Sequence, residues 1–212
     1  MTQISQELEH TLTLLRKQEL EFDRESHTYT VDGVVYPSVT QVLMDVGLID
    51  TTWFRKGSDE RGTRVHWICE QADKDTGGMR LFLDESLEEY EPYLDAWEDF
   101  KEKSGFVVSQ IELPLYSKTL GIAGTLDRVG FLNDKLTILD IKSGVKQKWH
   151  GLQVAGYKMI LRRALNQCGY PVELRSVYIK KTGKWTMENY TEDRYITDMN
   201  ICINMNRIKS RY

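Results

Sequence analysis

The sequence predicts a single domain of the α+β or α/β class. Three observations support this prediction: apolar residues recur at helical spacing in the first hundred residues, the spacing changes to two from Phe106, and helical spacing returns after Lys146. The chain has 212 residues, enough to bury one sizeable core, and it shows no internal repeat or low-complexity tract. One domain is therefore the simplest interpretation.

The chain is expected to begin with a helix over residues 3–20. Its apolar residues recur at roughly helical spacing and are Ile4, Leu8, Leu12, Leu15 and Leu20. We interpret residues 1–22 as a helical arm, which would also suit the docking of a partner such as an annealing or replication protein. Residues 23–212 would then form the single folded domain.

A β-hairpin is expected over residues 29–36. Two runs of β-forming residues flank the pair Asp32-Gly33, which is typical of a tight hairpin turn. Pro37 ends the second strand, and Ser38 followed three residues later by Gln41 indicates a capping box. A helix whose first backbone N–H groups are free should therefore follow the hairpin directly.

Two more helices are expected before the chain turns to strands. In Glu60–Asp73 the apolar residues share one face, while His66 and Glu70 lie on another. Leu83–Lys103 is strongly acidic, and its charged face is expected to be solvated while its apolar face packs inwards.

Alternation of apolar and polar residues predicts five strands in the second half of the chain. They are expected at residues 106–116, 122–131, 136–142, 174–180 and 185–190. A helix over Lys146–Gln167 separates the third strand from the fourth, and a C-terminal helix closes the chain.

Charge is distributed unevenly along the chain. Residues 1–100 contain 9 Lys and Arg and 22 Asp and Glu, a net charge of −13, whereas residues 101–212 contain 19 and 10, a net charge of +9. The overall net charge of −4 argues mildly against a nucleic-acid partner. The basic second half, however, is suited to facing phosphates.

The sequence also indicates the cellular compartment in which the protein is expected. No stretch approaches the ~20 apolar residues that cross a bilayer, and the first residues lack a signal-peptide pattern. The 3 cysteines, Cys69, Cys168 and Cys202, are far apart and fit neither a disulfide framework nor a paired metal-binding spacing. We expect a soluble protein of a reducing cytosol with no membrane partner.

The segment of residues 124–144 allows geometry to be derived from spacing. Asn133-Asp134 is the natural turn between two strands, and facing residues around that turn have numbers that add up to 267. Asp127 should therefore lie opposite Asp140, with their Cβ atoms about 4.5–5.5 Å apart. Two like charges at that distance are destabilising unless a cation lies between them.

Lys142 is expected to join the two carboxylates. Residues two apart on a strand project to one side, so Lys142 accompanies Asp140 while Leu139 and Ile141 point the other way. Hard oxygen ligands without a cysteine or histidine cluster favour Mg²⁺ or Mn²⁺ over zinc. The alternative interpretation is a half-exposed hairpin in which Lys142 simply pairs with Asp140 or Asp127.

Several short motifs appear in a fixed order around this segment. They are Gly62 to His66 (GxxxH), Glu112 on a strand, Gly124 to Asp127 (GxxD), Asp140-Ile141-Lys142-Ser143 (DxKS) and Gln153 to Tyr157 (QxxxY). This set resembles the PD-(D/E)XK nucleases, and more closely their RecB-like exonuclease branch. PSVTQVL at residues 37–43 is similar to the entry motif of mitochondrial genome maintenance exonucleases and of phage-encoded relatives. The resemblance covers about residues 27–180.

The resemblance implies a fold and a set of metal ligands. The fold would be a restriction-endonuclease-like core, with a central mixed β-sheet flanked by helices. Asp127, Asp140, His66 and the Ile141 carbonyl would bind Mg²⁺ or Mn²⁺, and Lys142 would position the attacking water. Glu112 would be a catalytic residue as a direct ligand or through water, or else a strand residue that pairs with Lys142 or Arg128.

The resemblance also implies DNA contacts. The residues expected to approach DNA are Ser38, Thr40, Ser143, Gln153, Tyr157, Lys146 and Lys148. Gln153 and Tyr157 would alternatively brace Lys142, or Tyr157 would simply pack in the core. Further basic residues at 162, 163, 180, 181 and 184 would line the substrate path, and Tyr36, Trp53, Phe54 and Trp67 would either stack on bases or belong to the core.

Two departures from the family pattern are visible. Leu126 stands where the superfamily has its eponymous proline, a position outside the carboxylate chemistry. The chain also lacks the four cysteines of the iron–sulfur branch, so no such cluster is expected.

The expected activity is metal-dependent hydrolysis of DNA by an end-dependent exonuclease acting on single-stranded or resected DNA in recombination, repair or replication. The expected location is the cytosol of a bacterium or of a phage-infected host. The alternatives are a structure-specific endonuclease of the same fold, a catalytically silent DNA-binding recombination module, and a metal-free structural protein.

Overall fold

A computed structural model describes residues 3–15, 20–23, 28–50, 58–74, 87–166 and 170–212. The described helices are α1 (Gln3–Leu15), α2 (Val39–Asp45), α3 (Ser58–Lys74), α4 (Glu91–Ser104), α5 (His150–Ala164) and α6 (Arg194–Lys209). The described strands are β1 (Glu21–Asp23), β2 (Thr28–Val31), β3 (Val34–Tyr36), β4 (Val107–Ser117), β5 (Ile122–Leu132), β6 (Lys135–Lys142), β7 (Val172–Ile179) and β8 (Trp185–Asn189). A 3₁₀ turn at Glu88–Tyr90 precedes α4.

The strands form two sheets. The small sheet has the order β1-β2-β3, and the central sheet has the order β4-β5-β6-β7-β8. In the central sheet β6 and β7 are parallel while the other neighbours are antiparallel. Parallel neighbours need a crossover, and α5 supplies it between β6 and β7. The predicted mixed sheet flanked by helices is confirmed.

Helices cover both faces of the central sheet. One core cluster joins α1, α2, α5 and α6 to the sheet through residues such as Leu12, Leu43 and Ile160. The other joins α3 and α4 to the sheet and includes Trp97 and Phe100. The molecule thus has three layers, and the candidate site lies where α2, α3 and α5 meet the central strands.

The two predicted hairpins form as expected. Asp32 and Gly33 turn the first with φ of 51° and 74°, and Asn133 and Asp134 turn the second with φ of 50° and 60°. Positive φ at both central residues defines the turn whose twist suits antiparallel strands. Such a turn fixes the pairing register of the strands that it joins.

The segment interpreted as an arm, residues 1–22, includes α1 and most of β1, and both contact the rest of the molecule. Leu8, Leu12 and Leu15 of α1 are buried in the main core cluster. Phe22 of β1 pairs with Tyr29 of β2. Hydrophobic burial attaches α1, and strand pairing attaches β1, to the rest of the described residues.

Two other predicted helices have different ends in the structure. α5 begins at His150 rather than Lys146, because residues 145–148 form a loop in which Lys146 Nζ pairs with Glu188 Oε2 at 2.7 Å. The acidic helix α4 begins at Glu91 after its 3₁₀ turn. The predicted helical residues 16–19 and 83–86 lie outside the described residues, as do Trp53, Phe54 and Cys168.

No helix in the described ranges has the length and apolar character needed to cross a membrane.

Candidate functional site

Three neighbouring strands place three acidic residues side by side. The β5–β6 ladder ends at Arg128↔Leu139, so the next pair is Asp127 and Asp140, as the turn at Asn133-Asp134 predicts. On the other side, the pairs Ile111↔Arg128 and Leu113↔Leu126 place Glu112 opposite Asp127. The antiparallel register therefore aligns the backbone positions of Glu112, Asp127 and Asp140 in one row across the sheet.

The Asp127 carboxylate lies where the β5–β6 ladder stops. Its Oδ2 accepts a hydrogen bond from the Ile141 backbone N–H at 2.8 Å. The Ile141 carbonyl oxygen in turn lies 2.9 Å from His66 Nε2. Because a carbonyl can only accept, His66 carries a proton on Nε2 and directs Nδ1 elsewhere.

His66 Nδ1 faces two carboxylates. It lies 3.6 Å from Asp127 Oδ2 and 3.9 Å from Glu112 Oε1. The ligand atoms of these three residues all lie within 4.8 Å of one another, which makes them a candidate metal-binding group. Burial lowers the pKa of His66, but the Asp127 and Glu112 carboxylates outweigh it and raise this pKa to about 9.

Asp140 is bound differently from the other predicted ligands. Its side chain is 1% exposed, and Oδ2 lies 2.8 Å from Lys142 Nζ and 3.5 Å from Ser176 Oγ. Among the described residues Oδ1 has no hydrogen-bond partner. Burial raises the pKa of Asp140 to about 6, although the Lys142 ammonium lowers it. A buried carboxylate oxygen without a donor is an observation that a cation would explain.

The donor atoms fit a hard divalent cation. The candidate group offers carboxylate oxygens of Glu112 and Asp127 and the His66 imidazole, and the Asp140 carboxylate and the Ile141 carbonyl add oxygen atoms nearby, a set that suits a hard divalent cation better than a thiolate-binding metal. Of the predicted ligands, His66 and Asp127 meet in one group with Glu112, and the Ile141 carbonyl contacts His66, whereas Asp140 lies outside that group and contacts Lys142. The resemblance left three roles open for Glu112, and here it contacts both the candidate metal group and Arg128 Nη1, at 3.2 Å.

Lys142 is held by an amide from α5. Its Nζ donates to Gln153 Oε1 at 2.8 Å, and the Gln153 Nε2 group donates to Tyr157 Oη at 3.0 Å and to Thr40 Oγ1 at 3.4 Å. The spacing of Gln153 and Tyr157 puts both on one helical face, so Tyr157 packs in the core and also braces Gln153. The Lys142 ammonium also lies 5.6 Å from the centre of the Trp149 ring.

The other residues expected to meet DNA lie at the start of α2, Ser38, and on the loop after β6, Ser143, Lys146 and Lys148. Ser38 caps α2, because its Oγ accepts from Gln41 N at 2.9 Å, but the Gln41 side chain donates to Asp45 instead of completing the capping box. Ser143 is half-buried beside Lys142, and Lys146 and Lys148 are exposed on the following loop. Trp67 is 39% exposed next to His66.

Other basic residues lie farther away. Arg162 and Arg163 are in the last turn of α5, roughly 18 Å along the helix from its first residue. Arg163 Nη1 donates to Thr119 there, and Lys181 pairs with Glu89 near the start of α4. The structure therefore does not gather these residues at the carboxylates.

Sequence reasoning did not assign a function to the most buried charges near the site, Arg128 and Asp73. Arg128 is fully buried, and its Nε donates to Asp73 Oδ2 at 2.6 Å. Two signals were available. Arg128 directly follows Asp127 in an otherwise apolar strand, and Asp73 lies seven residues after His66, on the same helical face.

Comparison with known proteins identifies the family of this chain. A family model described as the PD-(D/E)XK nuclease superfamily matches residues 47–199. A solved structure from Eubacterium rectale, provisionally described as an exonuclease, is similar at 12% identity and a TM-score of 0.49. The match covers 70% of this chain and 65% of the Eubacterium rectale chain, so this chain spans less than two thirds of that protein's length. The structure of SSO0001 is similar at 13% identity and a TM-score of 0.31, over 79% of this chain and 83% of that chain. No curated protein matches the sequence. Because the family model spans more than half of the residues, this chain belongs to the PD-(D/E)XK nuclease superfamily.

Proposed function

We propose that this protein is a Mg²⁺- or Mn²⁺-dependent DNA exonuclease of the RecB-like branch, acting on DNA ends in recombination, repair or replication. The observation that carries the proposal is the row of Glu112, Asp127 and Asp140 with Lys142 Nζ 2.8 Å from Asp140 Oδ2. Family membership supports a nuclease, and the order of the sequence motifs favours the RecB-like branch.

Asp127, Asp140, Glu112, His66 and the Ile141 carbonyl would hold the metal. A divalent ion bound there supplies positive charge for the phosphodiester and acidifies a water molecule. To hold such an ion, the His66 imidazole would have to lose the Nδ1 proton that the Asp127 and Glu112 carboxylates otherwise favour. The Asp140 carboxyl would have to be ionised, a state that burial disfavours and that the Lys142 ammonium favours.

Lys142 would orient the attacking water. Its ammonium is fixed between Asp140 Oδ2 and Gln153 Oε1, both at 2.8 Å, so one of its three N–H groups remains for another acceptor. A water that donates towards the carboxylates and accepts from Lys142 would be aligned for attack at phosphorus. The ammonium also offsets negative charge that develops in the transition state.

DNA would approach from the α2 and α5 side of the sheet. Ser38, Thr40 and Ser143 offer hydroxyl groups, Gln153 and Tyr157 lie behind them, and Lys146 and Lys148 supply charge on the exposed loop. Phosphate contacts of this kind give affinity without sequence preference and weaken with salt. The substrate would thus be recognised by its backbone.

A cleavage assay with three substrates tests this proposal. End-labelled single-stranded DNA, blunt duplex and a covalently closed circle are incubated with the protein in Mg²⁺, Mn²⁺ or EDTA, alongside Asp140→Ala. Metal-dependent loss of linear DNA with the circle spared, absent from Asp140→Ala, is the expected result. Cutting of the circle would indicate an endonuclease of the same fold. An inert wild-type protein in both metals would contradict the proposal and favour a DNA-binding module.

A further inference from the structure

The guanidinium of Arg128 connects three parts of the molecule behind the candidate site. It is fully buried in β5, and its Nε donates to Asp73 Oδ2 of α3 at 2.6 Å. Its Nη1 donates to the Asp127 backbone oxygen at 2.6 Å and to Glu112 Oε1 of β4 at 3.2 Å. The buried Arg128 guanidinium therefore contacts the carboxylate of one candidate metal ligand, Glu112, and the backbone of another, Asp127.

Asp73 is a fixed counter-ion for this arginine. Its side chain is 1% exposed, and its Oδ1 accepts from Trp97 Nε1 at 3.0 Å and from Lys101 Nζ at 2.6 Å. Both oxygens of the carboxylate are therefore engaged, and Arg128 also lies 5.6 Å from the centre of the Trp97 ring. A guanidinium held on several sides has little freedom to reorient.

Glu112 needs such a restraint. It has φ of 46° in the middle of β4, a left-handed backbone conformation that is strained for a residue with a side chain. Its carboxylate also lies beside that of Asp127, and like charges at this spacing repel. The Arg128 guanidinium, together with the His66 imidazole that faces both carboxylates, supplies the opposite charge that offsets the repulsion.

We propose that Arg128, anchored by Asp73, is a positioning residue that holds the Glu112 carboxylate beside Asp127 in the ion-binding site. Arg128 is too buried to touch substrate, so it acts through Glu112. The inference rests on the proposed function only in that the site binds a divalent ion. With Glu112 already in place, ion binding requires no rearrangement of β4.

Mn²⁺ binding by the full chain without DNA tests the proposal. Free Mn²⁺ is measured by electron paramagnetic resonance for wild type, Arg128→Met, Arg128→Lys, Glu112→Gln and the double variant Arg128→Met/Glu112→Gln. Arg128→Met is expected to weaken Mn²⁺ binding roughly 10- to 100-fold. Arg128→Lys keeps the charge but has one nitrogen to share between Asp73 and Glu112. Its Mn²⁺ affinity should therefore lie between that of wild type and that of Arg128→Met. The double variant should bind no more weakly than Glu112→Gln alone.

A matched control separates positioning from general destabilisation. Arg175→Met breaks the contact of Arg175 Nη2 with Glu173 Oε2 on strand β7, which is 2.6 Å long like the Arg128–Asp73 contact but only partly buried. It should lower stability without changing the Mn²⁺ affinity. Circular dichroism establishes that each variant is folded before its affinity is compared, and Arg128→Lys decides the question if Arg128→Met does not fold.

Three results would overturn the inference. They are unchanged Mn²⁺ affinity in folded Arg128 variants, tighter binding in these variants, and an Arg128→Met effect of the same size with and without Glu112→Gln. Failure of the proposed function looks different. In that case wild type binds Mn²⁺ and the Arg128 variants lose affinity through Glu112, yet no DNA substrate is cut.

Discussion

The candidate site is supported from two sides in different ways. On the α5 side, Lys142, which pairs with Asp140, is also held by neutral groups, the Gln153 amide and through it Tyr157 and Thr40. On the α3 and α4 side, Glu112 is held by charges that are almost fully buried, Arg128 and Asp73. The first support is next to the proposed path of DNA, whereas the second is inside the protein.

This difference predicts which substitutions mainly change the cleavage rate and which mainly change the free energy of unfolding. Neutral hydrogen bonds contribute about 0.5–1.5 kcal/mol each, so their loss is tolerated by the fold. Removing one partner from a buried ion pair leaves an uncompensated charge and costs about 3–5 kcal/mol. Substitutions at the α5 side should therefore change cleavage, and those at the α3 side should first change the free energy of unfolding.

Lys142→Ala should give the largest effect on rate. Loss of the ammonium is expected to lower the cleavage rate roughly 10²- to 10⁴-fold. The fold should persist, because burial already raises the pKa of Asp140 to about 6 and the lone carboxyl can take up a proton. Cleavage and urea unfolding are measured together. Lys135→Ala is the control, since it removes an exposed lysine at the other end of β6 that pairs with Glu173. An unfolded Lys142→Ala protein would favour a structural salt bridge.

Asp73→Ala should give the largest effect on stability. Arg128 and Lys101 would lose their buried counter-ion, so the free energy of unfolding should fall by about 3–5 kcal/mol. Asp99→Ala is a matched control, because Asp99 also pairs with a lysine and a tryptophan, Lys103 and Trp185, but at the surface. Its loss should be much smaller. Equal losses in urea denaturation would show that burial does not distinguish the two networks.

The α5 side predicts a dependence of stability on pH through His150. Burial lowers the pKa of His150 to about 3, the Lys142 charge adds to this effect, and Nδ1 lies 2.7 Å from Tyr178 Oη. Below the unfolded pKa of ~6.5 the unfolded chain binds a proton that the folded protein does not, so stability falls as the pH drops from about 6.5 to 3. At pH 5 this loss is about 2 kcal/mol. Urea unfolding at pH 7 and pH 5 should show a correspondingly smaller difference in His150→Gln. The same difference in both proteins would assign the pH dependence to other groups.

Gln153→Ala should have the smallest of these effects. Lys142 would lose one acceptor but keep Asp140, so its ammonium becomes less well oriented and the cleavage rate should fall roughly 10-fold. Lys158→Ala, on the same helix, is the control for a general effect on α5. A Gln153→Ala rate equal to that of Lys142→Ala would show that the neutral support is as necessary as the lysine itself.

The pairing of Asp127 with Asp140 could be predicted because its geometry depends on local structure. The Asn133-Asp134 turn fixes the register, and the register places Asp127 opposite Asp140. The alternation of Asp140 and Lys142 with Leu139 and Ile141 follows from the pleat of one strand. Such features depend on residues close in sequence, so spacing is sufficient to predict them.

Contacts between distant elements could not be predicted in this way. Arg128 and Asp73 are 55 residues apart, and their pairing depends on how α3 packs on the sheet. The pairing of Lys146 with Glu188 joins a loop to β8, and α5 therefore begins at His150 rather than at the predicted Lys146. The left-handed backbone of Glu112 has no sequence signal, since glutamate does not favour it.

The continuous β4–β5–β6 meander has a consequence for the order of folding. Glu112, Asp127 and Asp140 come together through two tight connections, and closing short loops costs little chain entropy. His66 reaches the Ile141 carbonyl across 75 residues, so its contact belongs to the slower, non-local part of folding. We therefore expect the sheet to gather its acidic residues before helix α3 docks with His66 and Asp73. If divalent ions bind this partly folded protein during refolding, the rate at which α3 docks should depend on their concentration.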